Sequence, residues 1–194
     1  MKRIFSTALI LLLAGCIGTG RTPQSKFYGI RPVSQAEEAL TAYKGISIGI
    51  EEVKVPAYMD KPQIVTERKN SPELNISELN RWSEPLSSML QRTIADDMAV
   101  YLPRALVKPK NYGREIFDYT VFVEINKFGG IFGENAVLEA WWSVSDKNGR
   151  ILAREQTYLT VPLGDGYEVL VEKQSLMVGE FSKQIAEKII QLRK

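Results

Sequence analysis

Three observations in the amino-acid sequence predict an α+β fold: an antiparallel or mixed sheet with helices packed on one face, as a two-layer sandwich. Between Tyr119 and Val161 three stretches alternate apolar and polar residues and follow one another with hairpin-like spacing, as antiparallel strands do. Two longer segments, one after Ser83 and one ending near Leu192, instead carry apolar residues at helical spacing. Both kinds of pattern are one-sided, so each element has a single face to bury, and two packed layers satisfy that requirement.

The chain opens with Lys2 and Arg3, an apolar run from Ile4 to Leu13, and small residues directly before Cys16. This is the layout of a secretory signal, and Leu13-Ala14-Gly15-Cys16 resembles the box at which a lipoprotein peptidase cuts. Residues 1–15 are then the signal peptide and Cys16 the acylated N-terminus. The apolar run is about half of the roughly 20 residues that a membrane span needs, which argues against an uncleaved anchor. One chain holds marginally, at about 0.8 kcal/mol per buried methylene, whereas bacterial lipoproteins carry two or three. In lipoproteins of this type an aspartate after the cysteine marks inner-membrane retention. Ile17 stands there, so the expected location is the periplasmic face of the outer membrane. Residues 16–26, rich in Gly, Thr, Ser and Pro, read as a flexible tether to a single domain over 27–194.

Within the domain, Phe27 to Ile30 reads as a short first strand. Ser34 and Glu37 have capping-box spacing, with Ala36, Leu40 and Tyr43 on one helical face and Gly45 as a stop, so a short helix is expected there. Ile46, Ile48 and Ile50 alternate as a half-buried strand, and the apolar phase resumes one residue out of step at Val53 and Val55, which predicts a bulge near Glu51 and Glu52. Pro56 to Pro62 reads as a loop, Gln63 to Glu67 as extended, and the polar stretch Arg68 to Glu78 as loop-like. Ser83 is the expected N-cap of a helix with Glu84 and Pro85 in its first turn. Leu86, Met89, Leu90, Thr93, Ile94, Met98 and Tyr101 fall on its buried side and Gln91, Arg92 and Asp96 on its outer side, and Pro103 ends it.

In the meander, Tyr119, Val121, Val123 and Ile125 form one face of the first strand. Leu138, Ala140, Trp142 and Val144 form one face of the second. Asn148-Gly149 supplies the turn into the third, Ile151 to Val161. Gly164-Asp165-Gly166 breaks the chain before a last helix with a stripe of Val178, Phe181, Ile185, Ile189 and Leu192.

Composition narrows the chemistry. The net charge of +2 resides in the signal: without Lys2 and Arg3, 23 basic residues face 23 acidic ones, and no dense basic cluster offers a nucleic-acid surface. The chain has no histidine and Cys16 is its sole cysteine, which excludes Ser-His-Asp and Cys-His catalysis, disulfides in the domain and most zinc sites. No cofactor or metal is expected, and an enzyme here would have to run on carboxylates, lysine or tyrosine.

Several residues carry two readings. Tyr58, held between prolines, is either a partner contact or a filler at the core rim. Trp82 is read as a hydrophobic staple onto Leu86 or Ser87. Asp96-Asp97 looks like a carboxylate pair only in sequence, since neighbours on a helix diverge by about 100°, and a solvated face explains it. Trp141 must point opposite to Trp142, so it is either covered by another element or part of an interface. Ile131 and Phe132, in the Gly129-Gly130-Ile131-Phe132-Gly133 loop tip, offer a membrane or partner contact or pack locally.

Two stretches carry a resemblance. Val55-Pro56-Ala57-Tyr58-Met59-Asp60-Lys61-Pro62-Gln63-Ile64-Val65-Thr66 is similar to a pattern of proline, tyrosine, Leu-Asp-Arg-Pro and Gln-Ile-Val-Thr, with Met59 and Lys61 as departures. Arg81-Trp82-Ser83-Glu84-Pro85-Leu86 resembles the Arg-Trp-Ala-Glu-Pro-Leu that opens the main helix of the same family. Tyr28 and the late helix, with Val171, Gln174-Ser175 and Ile185-Ala186, fit it too. The family is that of the PqiC/YmbA-like lipoproteins, auxiliary components of ABC-type transport systems. The resemblance implies an outer-membrane lipoprotein that works with an MCE-domain protein in moving lipids between membranes and keeping the envelope intact, with a homo-oligomeric ring in some members. The leading expectation is a non-catalytic tethered adaptor. An independent periplasmic lipid-binding carrier is the alternative, and a carboxylate-dependent hydrolase the third class.

Overall fold

A computed structural model describes residues 23–33, 45–111 and 115–193. The signal at 1–15, Cys16, most of the tether and the short helix expected after Ser34 lie outside them. Gly45, its expected stop, has a φ of 79°, open to glycine at little cost.

Among the described residues the chain forms eight strands and two helices: β1 (Lys26–Tyr28), β2 (Ser47–Ile50), β3 (Gln63–Glu67), β4 (Leu74–Trp82), α1 (Leu86–Tyr101), β5 (Leu106–Pro109), β6 (Tyr119–Gly130), β7 (Asn135–Asp146), β8 (Ile151–Pro162) and α2 (Tyr167–Leu192). The larger sheet has the order β5-β2-β6-β7-β8, with β2 parallel to both β5 and β6, and β6, β7 and β8 antiparallel. Both helices pack on one face of this sheet and against each other, the two-layer α+β arrangement the sequence predicts. A second sheet, β1-β4-β3, was not foreseen.

The larger sheet's inner face is built from the alternations read above. Ile48, Ile50, Val121, Val123, Ile125, Leu138, Ala140 and Val144 are fully buried against Leu90, Ile94, Val178, Phe181 and Ile185 of the helices. Trp142 joins them, edge-on to Phe181 at 6.3 Å, with its indole N–H donating to the Thr157 hydroxyl at 3.0 Å. Its neighbour Trp141 points to the opposite face, 51% exposed. At the Asn-Gly turn the Asp146 carboxylate accepts the N–H groups of Asn148 and Arg150, and Gly149 takes a φ of 79°. The expected bulge is present: Glu51 and Lys54 donate to Val121 and Val123, three steps on one strand against two on the other.

Several expectations fail for identifiable reasons. Arg68 to Glu78 is not a loop throughout, since β4 begins at Leu74. Its pattern is inverted. Leu74 and Ile76 face outward, while Asn75 faces inward and is satisfied by the Thr66 and Tyr167 hydroxyls at 3.1 Å each. β5 escaped notice because only four residues, half of them exposed, form it. Gly129 and Gly130 belong to β6 rather than to a loop tip. A Cβ on Gly130 would lie 2.8 Å from the Leu163 side chain and 2.9 Å from the Asn135 carbonyl.

The start of α1 is capped from a distance. Ser83 is not its N-cap: its N–H donates to the Tyr28 carbonyl, and the helix begins only after Pro85, which has no N–H to satisfy. The Asp60 carboxylate reaches across instead, accepting the Ser87 N–H at 3.2 Å and its hydroxyl at 3.3 Å, a negative group at the positive end of the helix. Trp82 is buried in the same core as Leu86, but with Pro85 at the N-cap it lies three residues before the cap and is not the expected staple.

Gln91 and Asp97 are not on a solvated face. The Gln91 amide donates to the Ile50 carbonyl at 2.8 Å, closing β2 at its bulge. Asp97 is fully buried. One of its oxygens accepts the Val33 N–H at 2.7 Å; the other lies 3.2 Å from the Ser182 hydroxyl, which is also 2.8 Å from the Val178 carbonyl. That hydroxyl has one proton for two acceptors. A neutral Asp97 resolves the shortage by donating to it. Burial pushes the Asp97 carboxyl up to about 6, against the pull of the Val33 and Ser182 donors.

Three measurements follow from this packing. Trp142→Ala should cost about 3–5 kcal/mol by emptying a core aromatic site, and Trp141→Ala well under about 1 kcal/mol, read from thermal melts. Asp60→Ala should cost about 1 kcal/mol as a lost cap, whereas Ser83→Ala should change stability by no more than a few tenths of that. For Asp97 the folded carboxyl binds its proton near pH 6 and the unfolded one near 3.8, so its penalty, roughly 2–3 kcal/mol at pH 7.5, is relieved as pH falls between those values. Asn at this position donates to Ser182 as the protonated acid does. Asp97→Asn should therefore melt at or above the wild type at pH 7.5, with its advantage shrinking toward pH 4.

Candidate functional site

The two motifs that carry the resemblance meet in space. Gln63 of the first pairs with Arg81 of the second, the Trp82 N–H donates to the Pro62 carbonyl at 2.7 Å, and Asp60 caps the helix that the second motif opens. Between Pro56 and Pro62 the chain turns tightly, with the N–H groups of Met59 and Asp60 both directed at the Pro56 carbonyl. The turn drives Met59 into the core and leaves Tyr58 partly exposed at its crest, so Met59 rather than Tyr58 fills the core there. Partial burial, and secondarily the Glu67 carboxylate, raise the Tyr58 phenol above its ordinary range. Behind the turn, Arg92 grips Glu84 with both guanidinium arms and lowers the Glu84 carboxyl.

A second surface is the outer face of the larger sheet, which the helices leave open. Trp141 stands there between Glu124 of β6 and Gln156 of β8, its cross-strand neighbours, and Tyr158, 62% exposed, lies opposite Glu139 on the same face. Toward β2 the face closes: Lys54 lies 4.9 Å from the centre of the Phe122 ring, and the Phe117 ring fills the space beside Gly49. Beside Lys54 and Phe122 is an open cleft of about 830 Å³, with Glu51, Glu52 and Glu124 as well as Val53, Val55 and Phe122 in its lining. Sequence reasoning placed Trp141 on this face by alternation. It missed Tyr158, which the same alternation in β8 would have found.

Ile131 and Phe132 close the β6–β7 turn, where the Ile131 N–H bonds the Asn135 carbonyl and Gly133 has a φ of 77°. Both are half-buried, and Phe132 stands edge-on to Tyr167 at 5.2 Å, so local packing takes up much of its surface. Trp141, Tyr58 and the Ile131–Phe132 turn are thus on separate parts of the chain, and no described contact joins them.

The third surface was not anticipated. The register of the smaller sheet puts Phe27, Arg81 and Gln63 in one row, Ile76 and Val65 in the next, and Leu74 and Glu67 in the third. Ile64, Thr66 and Trp82 point inward and are buried, so these rows lie on the other face, where Val65 is itself buried among its neighbours. Phe27 is 66% exposed, Ile76 43% and Leu74 40%. The inner face already has its apolar contacts through Ile64 and Trp82, so the exposed apolar side chains of the outer face are in excess of the core and call for something that covers them.

Comparison with known proteins gives these surfaces a context. No curated protein sequence matches the chain. Its fold is that of a crystal structure of an uncharacterized protein, at TM-score 0.71 and 21% identity, covering 86% of this chain and 99% of that one. It is equally that of a Xanthomonas campestris protein of the DUF330 family, at TM-score 0.72 and 11% identity, covering 87% and 96%. The PelC dodecamer from Paraburkholderia phytofirmans, in two structures, is a distant likeness, at TM-scores of 0.42 and 0.41 and 9% and 8% identity over 74% of this chain and 88% and 89% of those, from which nothing about assembly transfers. Residues 28–186 match the family model of the ABC-type transport auxiliary lipoprotein component, both motifs included, and the chain belongs to that family.

Proposed function

We propose that this protein is an outer-membrane lipoprotein, anchored through acylated Cys16 on the periplasmic side, that serves as a non-catalytic auxiliary component of an MCE-type lipid transport system. The observation that carries the reading is Trp141: an aromatic side chain held half-open on a rigid sheet face, in a member of a family of transport auxiliaries. Aromatic residues in that setting anchor protein interfaces at small entropic cost. The buried carboxylate of Asp97 supports a non-enzymatic role, because it is sealed from any substrate and engaged by the Val33 N–H and Ser182.

In this reading Trp141 anchors capture of the MCE-domain protein, with Tyr158 beside it. A homo-oligomeric ring requires two unlike patches in heterologous contact. The Ile131–Phe132 turn and the Tyr58 crest are the two candidates.

Cys16→Ser should abolish incorporation of labelled fatty acid. Expressed behind an ordinary signal peptide, the same variant should still copurify with the MCE-domain protein from gently crosslinked extracts, because the contact belongs to the folded domain. Trp141→Ala should reduce that capture about tenfold or more, equivalent to about 1.4 kcal/mol, without lowering the melting temperature. Absence of any MCE-domain protein from wild-type extracts would overturn the reading in favour of an independent lipid carrier.

A further inference from the structure

We propose that the outer face of the smaller sheet, with Phe27, Leu74 and Ile76, rests on the lipid surface to which the chain is anchored. The inference depends on the reading of Cys16 as the acylated N-terminus and says which side of the domain faces the bilayer.

The length of the tether decides the occupant. Cys16 and Lys26 are ten positions apart, and Lys26 begins β1. A flexible chain of that length spans about 17 Å on average, and its full extension is about 35 Å. β1 pairs only with β4, so it is an edge of the smaller sheet, and its residue next to the tether, Phe27, carries the most exposed apolar side chain of that face. An anchor so close to this edge brings the whole face to the bilayer, whereas the Trp141 face belongs to the other sheet.

The chemistry of the face fits a lipid surface better than a protein partner. Its exposed apolar side chains are spread over β1 and β4, with Leu79 partly exposed nearby in the bulge of β4, and form no deep seat around a central anchor of the kind a protein hot spot uses. Side chains so arranged suit burial of about 5–10 Å at the boundary of headgroups and acyl chains. Beside the face Lys26 pairs with Glu168 at 3.5 Å and Arg68 with Glu73 at 2.8 Å, and on it Arg81 and Glu67 stand one of each sign, so the face carries no net charge. Attachment therefore comes from apolar area and not from attraction to anionic headgroups, so zwitterionic lipid suffices.

The sole cysteine makes the test direct. With Cys16 acylated, Phe27→Cys or Ile76→Cys introduces one free thiol into the full-length lipoprotein, and Tyr158→Cys does the same on the larger sheet. Each variant is labelled with nitrobenzoxadiazole and reconstituted into phosphatidylcholine vesicles containing lipids with a nitroxide near the headgroup. Labels at 27 and 76 should shift to the blue and lose about half their emission to the nitroxide, as groups at interfacial depth do, while the label at 158 keeps a water-like spectrum and its emission. Flotation separates the two ways of failing. A protein that does not float with the vesicles lacks the anchor, and the reading of Cys16 falls together with the proposal. A protein that floats while labels 27 and 76 remain water-like, or turn blue without quenching because another protein copy covers them, overturns the proposal alone.

Discussion

The first turn of α1 is the place on which the rest of the structure depends, because the smaller sheet and α1 are fastened there by a handful of backbone and carboxylate contacts. Tyr28 of β1 accepts from Ser83, Pro62 accepts from Trp82 at the end of β4, and Asp60 closes the helix end at Ser87. Helix N–H groups left open at this point would be costly, since the turn is enclosed by Trp82, Met59 and Leu86. A residue far away in sequence does what an adjacent serine ordinarily does. The helix therefore cannot be capped until the loop from Pro56 to Pro62 is in place, and local helix formation is coupled to tertiary structure.

Elements with one apolar face were legible in sequence. β6, β7 and β8, both helical stripes, the bulge after Ile50 and the opposite orientations of Trp141 and Trp142 follow from periods of 2 and 3.6 alone. What escaped was every place where polar groups lie inside and apolar ones outside. β4 turns Asn75 inward, half-buried, and exposes Leu74 and Ile76; α1 buries Gln91 and Asp97. Periodicity measures where apolar side chains recur and is silent about a polar group whose partner comes from another element. Of the candidate site residues, Trp141 could be placed by alternation, whereas Tyr58 and Met59 compete for the same turn and only the path of the chain decides between them.

The buried polar groups share one task. Gln91 holds the carbonyl at the end of β2, Asp97 holds the N–H of Val33 after β1, and Asn75 joins Thr66 to Tyr167. Gln91 and Asp97 tie α1 to segments where a strand has ended, and the half-buried Asn75 ties the β3–β4 ladder to the start of α2. With no disulfide available to the domain, such ties fix which segment sits where, while the apolar core supplies most of the stability. The outward faces are left free for other duties, and two of them, on different sheets, carry exposed aromatic or aliphatic side chains. On the function proposed above, one of these faces meets the membrane and the other the transport partner.

The parallel placement of β2 bears on how the chain comes to be folded. Ile48 finds Val107 on one side and Tyr119 on the other, so this central strand has no local partner to pair with. The meander of β6, β7 and β8 closes through hairpins whose ends are adjacent, and it can form early. Synthesis runs the other way: β2 emerges before all its partners, and its sheet edge toward the meander stays open until β6 follows α1 and β5. That interval is when the chain is most prone to stick to others, and a factor that shelters it before β6 emerges would matter more to its yield than one that acts on the finished domain.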